Sequence, residues 1–313
     1  MTLYSVVVPV YNSEHTLPTL HERLCKVFDE TLQRDFELLL VDDSSKDASW
    51  QVMCSLHEKD HRVKIYQMAR NFGQPSATLC GFAHAAGDFI ITMDDDLQHP
   101  PEELVTMIRT MDERDDIDVI LGSYQNRKHN LIRRIGTAAA DYATTRMLNK
   151  PKGLDMTSFR LIRRFIVDAI LEMHIYKPQI GNLILAVSNH IINVPVRHDQ
   201  RAYGHSGYSF KRLAKDLYFD ITTHSALPLI LVRNLGLVTF LIAVLYGIFV
   251  LLRYLIGSIT VPGFTTIVLL ITASTGITLL SIGVLGEYMM HTLQESKKTP
   301  NYVLRDKKED PDE

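Results

Sequence analysis

Through the first hundred residues, short apolar runs alternate with longer stretches whose apolar residues return every third or fourth position. Ser5–Val10, Glu37–Val41 and Asp88–Met93 are β-branched or leucine-rich and end in turn residues, so each predicts a strand. Thr16–Thr31, Ala48–Asp60 and Pro75–Ala86 carry the helical period. This alternation predicts an α/β domain with a mainly parallel sheet, a fold that binds ligands beyond the carboxyl ends of its strands. Polar clusters stand at those ends: Tyr11, Asn12 and Glu14 after the first strand, Asp42 and Asp43 after the second, Asp94, Asp95 and Asp96 after the third.

Beyond residue 200 the pattern changes. Leu235–Leu252 is an uncharged apolar run, about 27 Å long as a helix and close to the thickness of the bilayer hydrocarbon. Phe264–Leu285 is a longer one, and the connector Arg253–Gly263, with Gly257, Pro262 and Gly263, reads as a turn between two spans. The alternative is a buried helical hairpin. Lys211, Arg212, Lys215 and Arg233 precede the first run, Lys297, Lys298 and Arg305 follow the second, and the connector offers only Arg253. The excess of positive charge outside the hairpin predicts that both chain termini are cytoplasmic. In Tyr208–His224, Phe210, Leu213, Leu217 and Ile221 recur at helical steps among Lys211, Arg212, Lys215 and Asp216. That pattern predicts an amphipathic helix on the membrane surface, or else an ordinary domain helix.

The division expected is a catalytic domain over 1–207, the amphipathic helix over 208–228, a two-helix transmembrane hairpin over 229–290 and a cytoplasmic tail over 291–313. A net charge of −3 over 313 residues gives no sign of a nucleic-acid partner. Cys25, Cys54 and Cys80 stand apart without C-x-x-C spacing, which argues against disulfides or zinc and suits a reducing compartment.

A dinucleotide site needs a glycine-rich first turn, and Pro9-Val10-Tyr11-Asn12-Ser13-Glu14 has no glycine, so hydride chemistry is not expected. Asp94 and Asp96, two apart in extended backbone, share a side and suit Mg²⁺ or Mn²⁺ bridging to substrate phosphates, with Asp95 turned away.

Four ordered motifs carry a family resemblance: Val6-Val7-Val8-Pro9-Val10-Tyr11-Asn12, Val41-Asp42-Asp43-Ser44-Ser45-Lys46-Asp47, Arg70-Asn71-Phe72-Gly73-Gln74 and Met93-Asp94-Asp95-Asp96-Leu97-Gln98-His99-Pro100-Pro101. The chain resembles the polyprenyl-phosphate glycosyltransferases of the GT-A fold, which include dolichyl-phosphate mannose synthases and bacterial undecaprenyl-phosphate glycosyltransferases. The resemblance implies that Pro9, Tyr11, Glu14, Asp42, Asp43, Gln74 and Asp94 line the donor pocket, with Asp42 receiving the base. Asp94, Asp96 and Gln98 match the family's metal motif. Arg201 and Ser206 match a mobile loop that reaches the donor diphosphate, although Gly207 stands where the family has a lysine. Arg127, Arg133 and Thr137 fall where the family holds the acceptor phosphate, and Asp155 matches an aspartate near the reacting centre.

What the resemblance implies is an inverting, metal-dependent transfer of a sugar from a nucleotide diphosphate sugar to polyprenyl phosphate. The expected donor is UDP-linked, UDP-glucose or a UDP-N-acetylhexosamine ahead of a modified pentose, and the product serves cell-envelope glycan modification. A multi-pass protein of the plasma (inner) membrane follows, with its catalytic domain cytoplasmic. Gly236, Gly247, Gly276, Gly283 and Gly286 offer small faces for a homo-oligomer, a tetramer among the options. Two competitors are a processive polysaccharide synthase, whose Q-x-x-R-W motif is missing because Trp50 is the only tryptophan, and a catalytically idle membrane scaffold.

Overall fold

The structure, a computed structural model, describes residues 2–124, 151, 153–173, 178–197, 199, 263–296 and 300–309, with isolated positions between 234 and 256. It divides into two units, Met1–Ser206 with Lys298–Glu313, and Gly207–Lys297.

In the first unit, strands β1 (Leu3–Val10), β2 (Asp35–Asp42), β3 (Val63–Met68), β4 (Phe89–Thr92), β5 (Val119–Tyr124), β6 (Arg160–Arg163), β7 (Ile191–Val196) and β8 (Leu304–Lys308) form one sheet, ordered β7-β5-β6-β4-β1-β2-β3-β8. Strands β3, β2, β1 and β4 run parallel, as does β7 to β5, whereas β6 lies antiparallel between β4 and β5 and β8 antiparallel to β3. The α/β sheet is thus mainly parallel at its centre.

Alternation along the central strands divides the core into two layers. Val6, Val8 and Val10 of β1 and Leu38 and Leu40 of β2 face a cluster with α1 (Leu17–Cys25), α2 (Ser49–Lys59) and α4 (Leu104–Glu113), through Leu20, Leu24, Met53, Met107 and Ile108. Val7, Leu39 and Val41 face the other, with α3 (Gln74–His84), α5 (Arg164–Glu172) and α6 (Ile180–Val187), through Ala77, Phe82, Ile166 and Ile184. Burial on both faces is why these strands read as unbroken apolar runs. Helix α3 lies so close to β1 that a Cβ on Gly81 would stand 2.2 Å from a Val7 methyl.

The three helices predicted from spacing are α1, α2 and α3 to within a few residues, with Lys26–Leu32 extending α1 as a π-helical segment. Strand β3 was not expected, because Lys64 interrupts it. Lys64 is buried and meets the buried Glu37 of β2 at 3.1 Å.

Residues 291–313 were expected as a tail. Their first part closes α7 (Phe264–Ser296), and Leu304–Lys308 is β8, which joins the edge of β3. In the second unit, the uncharged run Phe264–Leu285 falls within α7, which has 33 residues. Among the described residues, no helix is long and apolar enough to cross a membrane. The amphipathic stretch and most of Leu235–Leu252 lie outside the described residues.

Candidate active site

Strands β2, β1 and β4 are adjacent and parallel, so the segments after Asp42, Val10 and Thr92 leave the sheet on one side. Three non-glycine residues with left-handed backbone sit in these segments: Asn12 (φ 56°), Ser44 (φ 61°) and Leu97 (φ 61°). For leucine that conformation costs roughly 1–2 kcal/mol, so neighbouring contacts must hold it.

The contacts are hydrogen bonds between loops. Asn12 N–H donates to Ser45 Oγ (3.0 Å), while Lys46 N–H donates back to Asn12 Oδ1 (2.8 Å). Glu14 N–H donates to Asp47 Oδ2 (3.2 Å), and Glu14 Oε2 accepts from Ala48 N–H (2.7 Å). The expected donor residue Glu14 therefore secures the start of α2. Pro9 is buried within β1, and Tyr11 is 44% exposed at its end.

Asp42 and Asp43 are both buried. Asp42 accepts from Ser45 N–H (2.9 Å) and Gln67 Nε2 (3.2 Å). Asp43 uses both oxygens on the segment after β3, accepting Phe72 N–H at 2.7 Å and Gly73 N–H at 2.9 Å. Burial raises its pKa, opposed by those two donors. Gly73, at φ +94°, starts α3, and the next residue, Gln74, donates Nε2–H to Asp94 Oδ1 at 2.6 Å.

The three adjacent aspartates separate. Asp94 also accepts from Ser158 Oγ (2.8 Å), and its own N–H donates to Nδ1 of the buried His99 (3.2 Å), which stacks on Phe159. Asp95 turns to the first loop and accepts Tyr11 N–H (3.0 Å) and Ser13 Oγ–H (2.5 Å). Burial lifts its pKa to about 6 in spite of both donors, with Asp94 and Asp96 adding to the rise. Asp96 Oδ1 accepts Gln98 N–H at 3.0 Å.

Asp94 and Asp96 are partly buried oxygen donors at a strand end. This donor set fits a hard cation of the Mg²⁺ kind, which takes one or two carboxylates and completes its shell with water and substrate phosphate. Among the described residues, the only three His, Cys, Asp or Glu side chains close enough together to share an ion are His21, Cys25 and Asp60. There Arg62 already supplies the cation, at 2.9 Å from Asp60, and burial pushes the Cys25 thiol up to about 11.

Asp155 is exposed, beside the buried Leu154. Its carboxylate accepts from Ser123 Oγ at 2.8 Å, and Asn193 bonds its backbone. The segment from Asp155 runs to Ser158, whose hydroxyl reaches Asp94 and whose carbonyl accepts from Thr92 Oγ1 at 2.6 Å. The structure thus brings Tyr11, Asp42, Asp43, Gln74, Asp94, Asp96, Gln98 and the Asp155 segment into one network of loops. Arg127, Arg133, Thr137, Arg201 and Ser206 lie outside the described residues. Sequence reading missed Ser13, Ser45, His99, Ser123, Ser158 and Asn193. His99 and Ser45 stood inside quoted motifs, whereas Ser13, Ser123, Ser158 and Asn193 reach their aspartates over 82, 32, 64 and 38 residues.

Residues 5–171 match the model of glycosyl transferase family 2. Two bacterial relatives are undecaprenyl-phosphate 4-deoxy-4-formamido-L-arabinose transferases. The one from Proteus mirabilis is 34% identical over 307 residues, 96% of this chain and 92% of that protein. The one from Klebsiella pneumoniae is 33% identical over 305 residues, with the same coverage. Among solved structures, the glucosyl-3-phosphoglycerate synthase of Mycobacterium tuberculosis in complex with Mn²⁺, UDP-glucose and phosphoglyceric acid superposes with a TM-score of 0.52 at 15% identity. That match covers 71% of this chain and 78% of the synthase, and establishes a shared fold of the GT-A kind. With its loop network at the ends of a parallel sheet, the chain belongs to glycosyl transferase family 2.

Proposed function

We propose that the chain transfers a glycosyl group from a nucleotide diphosphate sugar to polyprenyl phosphate, with inversion, at a membrane surface. The observation that carries this is the convergence of the β1, β2 and β4 loops, which sets a buried acidic floor beside the paired carboxylates Asp94 and Asp96. The relatives support the acceptor, since their similarity runs over 96% of the chain and so past the family domain into the apolar segments. Their name also favours a modified pentose donor over the glucose or N-acetylhexosamine expected from the sequence.

The base and ribose lie against Tyr11, Asp42 and the Arg70–Gln74 segment. Asp94 and Asp96, with Gln98, would hold a divalent cation, whose charge would neutralise the donor diphosphate. The acceptor phosphate is already an anion, so positioning outweighs proton transfer. One of its oxygens bonds to the anomeric carbon as the bond from that carbon to the diphosphate breaks, and the nucleoside diphosphate leaves. The family resemblance assigns the acceptor phosphate to Arg127, Arg133 and Thr137, the donor diphosphate to Arg201 and Ser206, and contact with the sugar or the acceptor to Asp155.

Topology supports the membrane assignment. The chain leaves the catalytic unit near Ser206 and re-enters it at Lys298, ahead of β8, so any crossings in between must be even in number. Two crossings at the uncharged runs Leu235–Leu252 and Phe264–Leu285, expected from the sequence although no described helix is long and apolar enough to cross a membrane, would meet that condition and keep the catalytic unit on the cytoplasmic side of an inner membrane.

The test is transfer by the purified full chain in detergent, with undecaprenyl phosphate and a panel of labelled nucleotide sugars that includes a 4-formamido pentose. Label in the organic phase, lost in Asp96→Ala even with Mn²⁺ present, is the expected result. No organic-soluble product from any donor would sink the assignment and leave the idle scaffold.

A further inference from the structure

We infer that Asn193, together with Ser123, is a positioning residue that fixes Asp155 for glycosyl transfer. This rests on the reading above, in which Asp155 meets the reacting groups.

Asp155 belongs to no strand; it follows Gly153, at φ +80°, and precedes β6. Its backbone is nonetheless satisfied as a strand residue's would be, by a side chain. Asn193 of β7 accepts Asp155 N–H with Oδ1 at 2.7 Å and donates Nδ2–H to Asp155 C=O at 2.9 Å. The same amide nitrogen donates to Leu121 C=O of β5 at 3.3 Å, the residue that pairs with Asn193 in the sheet. One amide therefore ties the Asp155 backbone to two strands. The orientation of the amide is forced, because the opposite one would face N–H against N–H and oxygen against two carbonyls.

With the backbone fixed, Ser123 Oγ–H at 2.8 Å turns the Asp155 carboxylate. Three residues on, Ser158 holds Asp94 at 2.8 Å, so the exposed carboxylate of Asp155 stands at a set place along the segment that meets the acidic loop. Aspartate at 193 could not donate to either carbonyl and would add like charge beside Asp155. Glutamine would be one methylene too long for the same bonds.

The experiment is steady-state kinetics of the full chain in detergent, with labelled nucleotide sugar and polyprenyl phosphate, alongside UDP affinity and Trp50 fluorescence as a measure of folding. Asn193→Ala and Asn193→Asp should lower kcat roughly 30- to 100-fold, the scale expected for misplacing a reacting group by about 1 Å. Donor KM and UDP affinity should stay within about threefold, a split that general loosening of the domain would not give. Ser123→Ala, which leaves the backbone clamp intact, should lower kcat by about tenfold with the same KM. Wild-type turnover in Asp155→Asn would overturn the reading of Asp155 itself. Loss of turnover in Asp155→Asn with kcat retained in Asn193→Ala would overturn only the role of Asn193, as would a fall in kcat matched by a rise in donor KM. Should Asn193→Ala fail to fold, an unchanged kcat in Ser123→Ala overturns the inference.

Discussion

Asp95 offers a direct measure of how tightly the acidic loop is bound into the domain. Its carboxyl titrates at about 6 instead of 3.8, because burial outweighs the Ser13 and Tyr11 donors. The difference of about two pH units corresponds to roughly 3 kcal/mol. Below pH ~4 the carboxyl is protonated whether the chain is folded or not, and no penalty arises. As pH rises from ~4 to ~6 the unfolded chain loses the proton first, so stability falls, and above ~6 the penalty is complete. Asp95→Asn keeps an oxygen for Tyr11 N–H and cannot ionise. Relative to that variant, the wild type should therefore lose up to about 3 kcal/mol of unfolding free energy between pH 4 and pH 7. Trp50, the only tryptophan, packs half-buried against the core of the catalytic unit, so its fluorescence in urea reports that unit within the full chain. Subtracting the two proteins removes every other titration they share. Millimolar Mn²⁺ should shrink the difference, since positive charge at Asp94 and Asp96 favours the ionised form of their neighbour. A gap constant to within about 0.5 kcal/mol across that range, without divalent ions, would refute the burial argument.

Three further outcomes are expected. Gly81→Ala forces a Cβ to 2.2 Å from Val7 and should cost roughly 1–3 kcal/mol in urea unfolding followed at Trp50. Burial alone would raise the Asp60 pKa, but Arg62 and His21 outweigh it and hold the carboxyl well below the usual range. Its stabilisation is present above pH ~4 and lost as pH falls further, so Asp60→Asn should cost about 1–2 kcal/mol at pH 7, allowing for solvent screening, and converge on wild type in acid. Truncation after Asn301 removes β8 and the Ala69 N–H bond to Val303 C=O, and should lower stability by at least about 2 kcal/mol while raising donor KM.

Strands β1, β2 and β4 were legible because burial on both faces fills them with apolar residues, their polar positions Ser5, Glu37 and Thr92 falling at or near the strand ends, and the acidic clusters were legible because they end those runs. Strand β3 was hidden by Lys64, whose charge is tolerable only opposite Glu37, a partner 27 residues earlier. Strand β8, Leu-Arg-Asp-Lys-Lys, looks like a solvated tail because an edge strand is allowed to.

The site divides in the same way. Residues that would touch substrate announce themselves by type, as carboxylates in a row do, but those that hold them bond across long stretches of chain. Ser13 reaches Asp95 over 82 residues, Ser158 reaches Asp94 over 64 and Asn193 reaches Asp155 over 38. No spacing rule connects such pairs, and serine and asparagine are ordinary loop residues on their own. Each nevertheless joins a segment bearing an aspartate to a distant loop or strand. It follows that substitution at these polar positions should damage turnover more than substitution at exposed charges on α2 or α4, although those charges are what composition brings forward first.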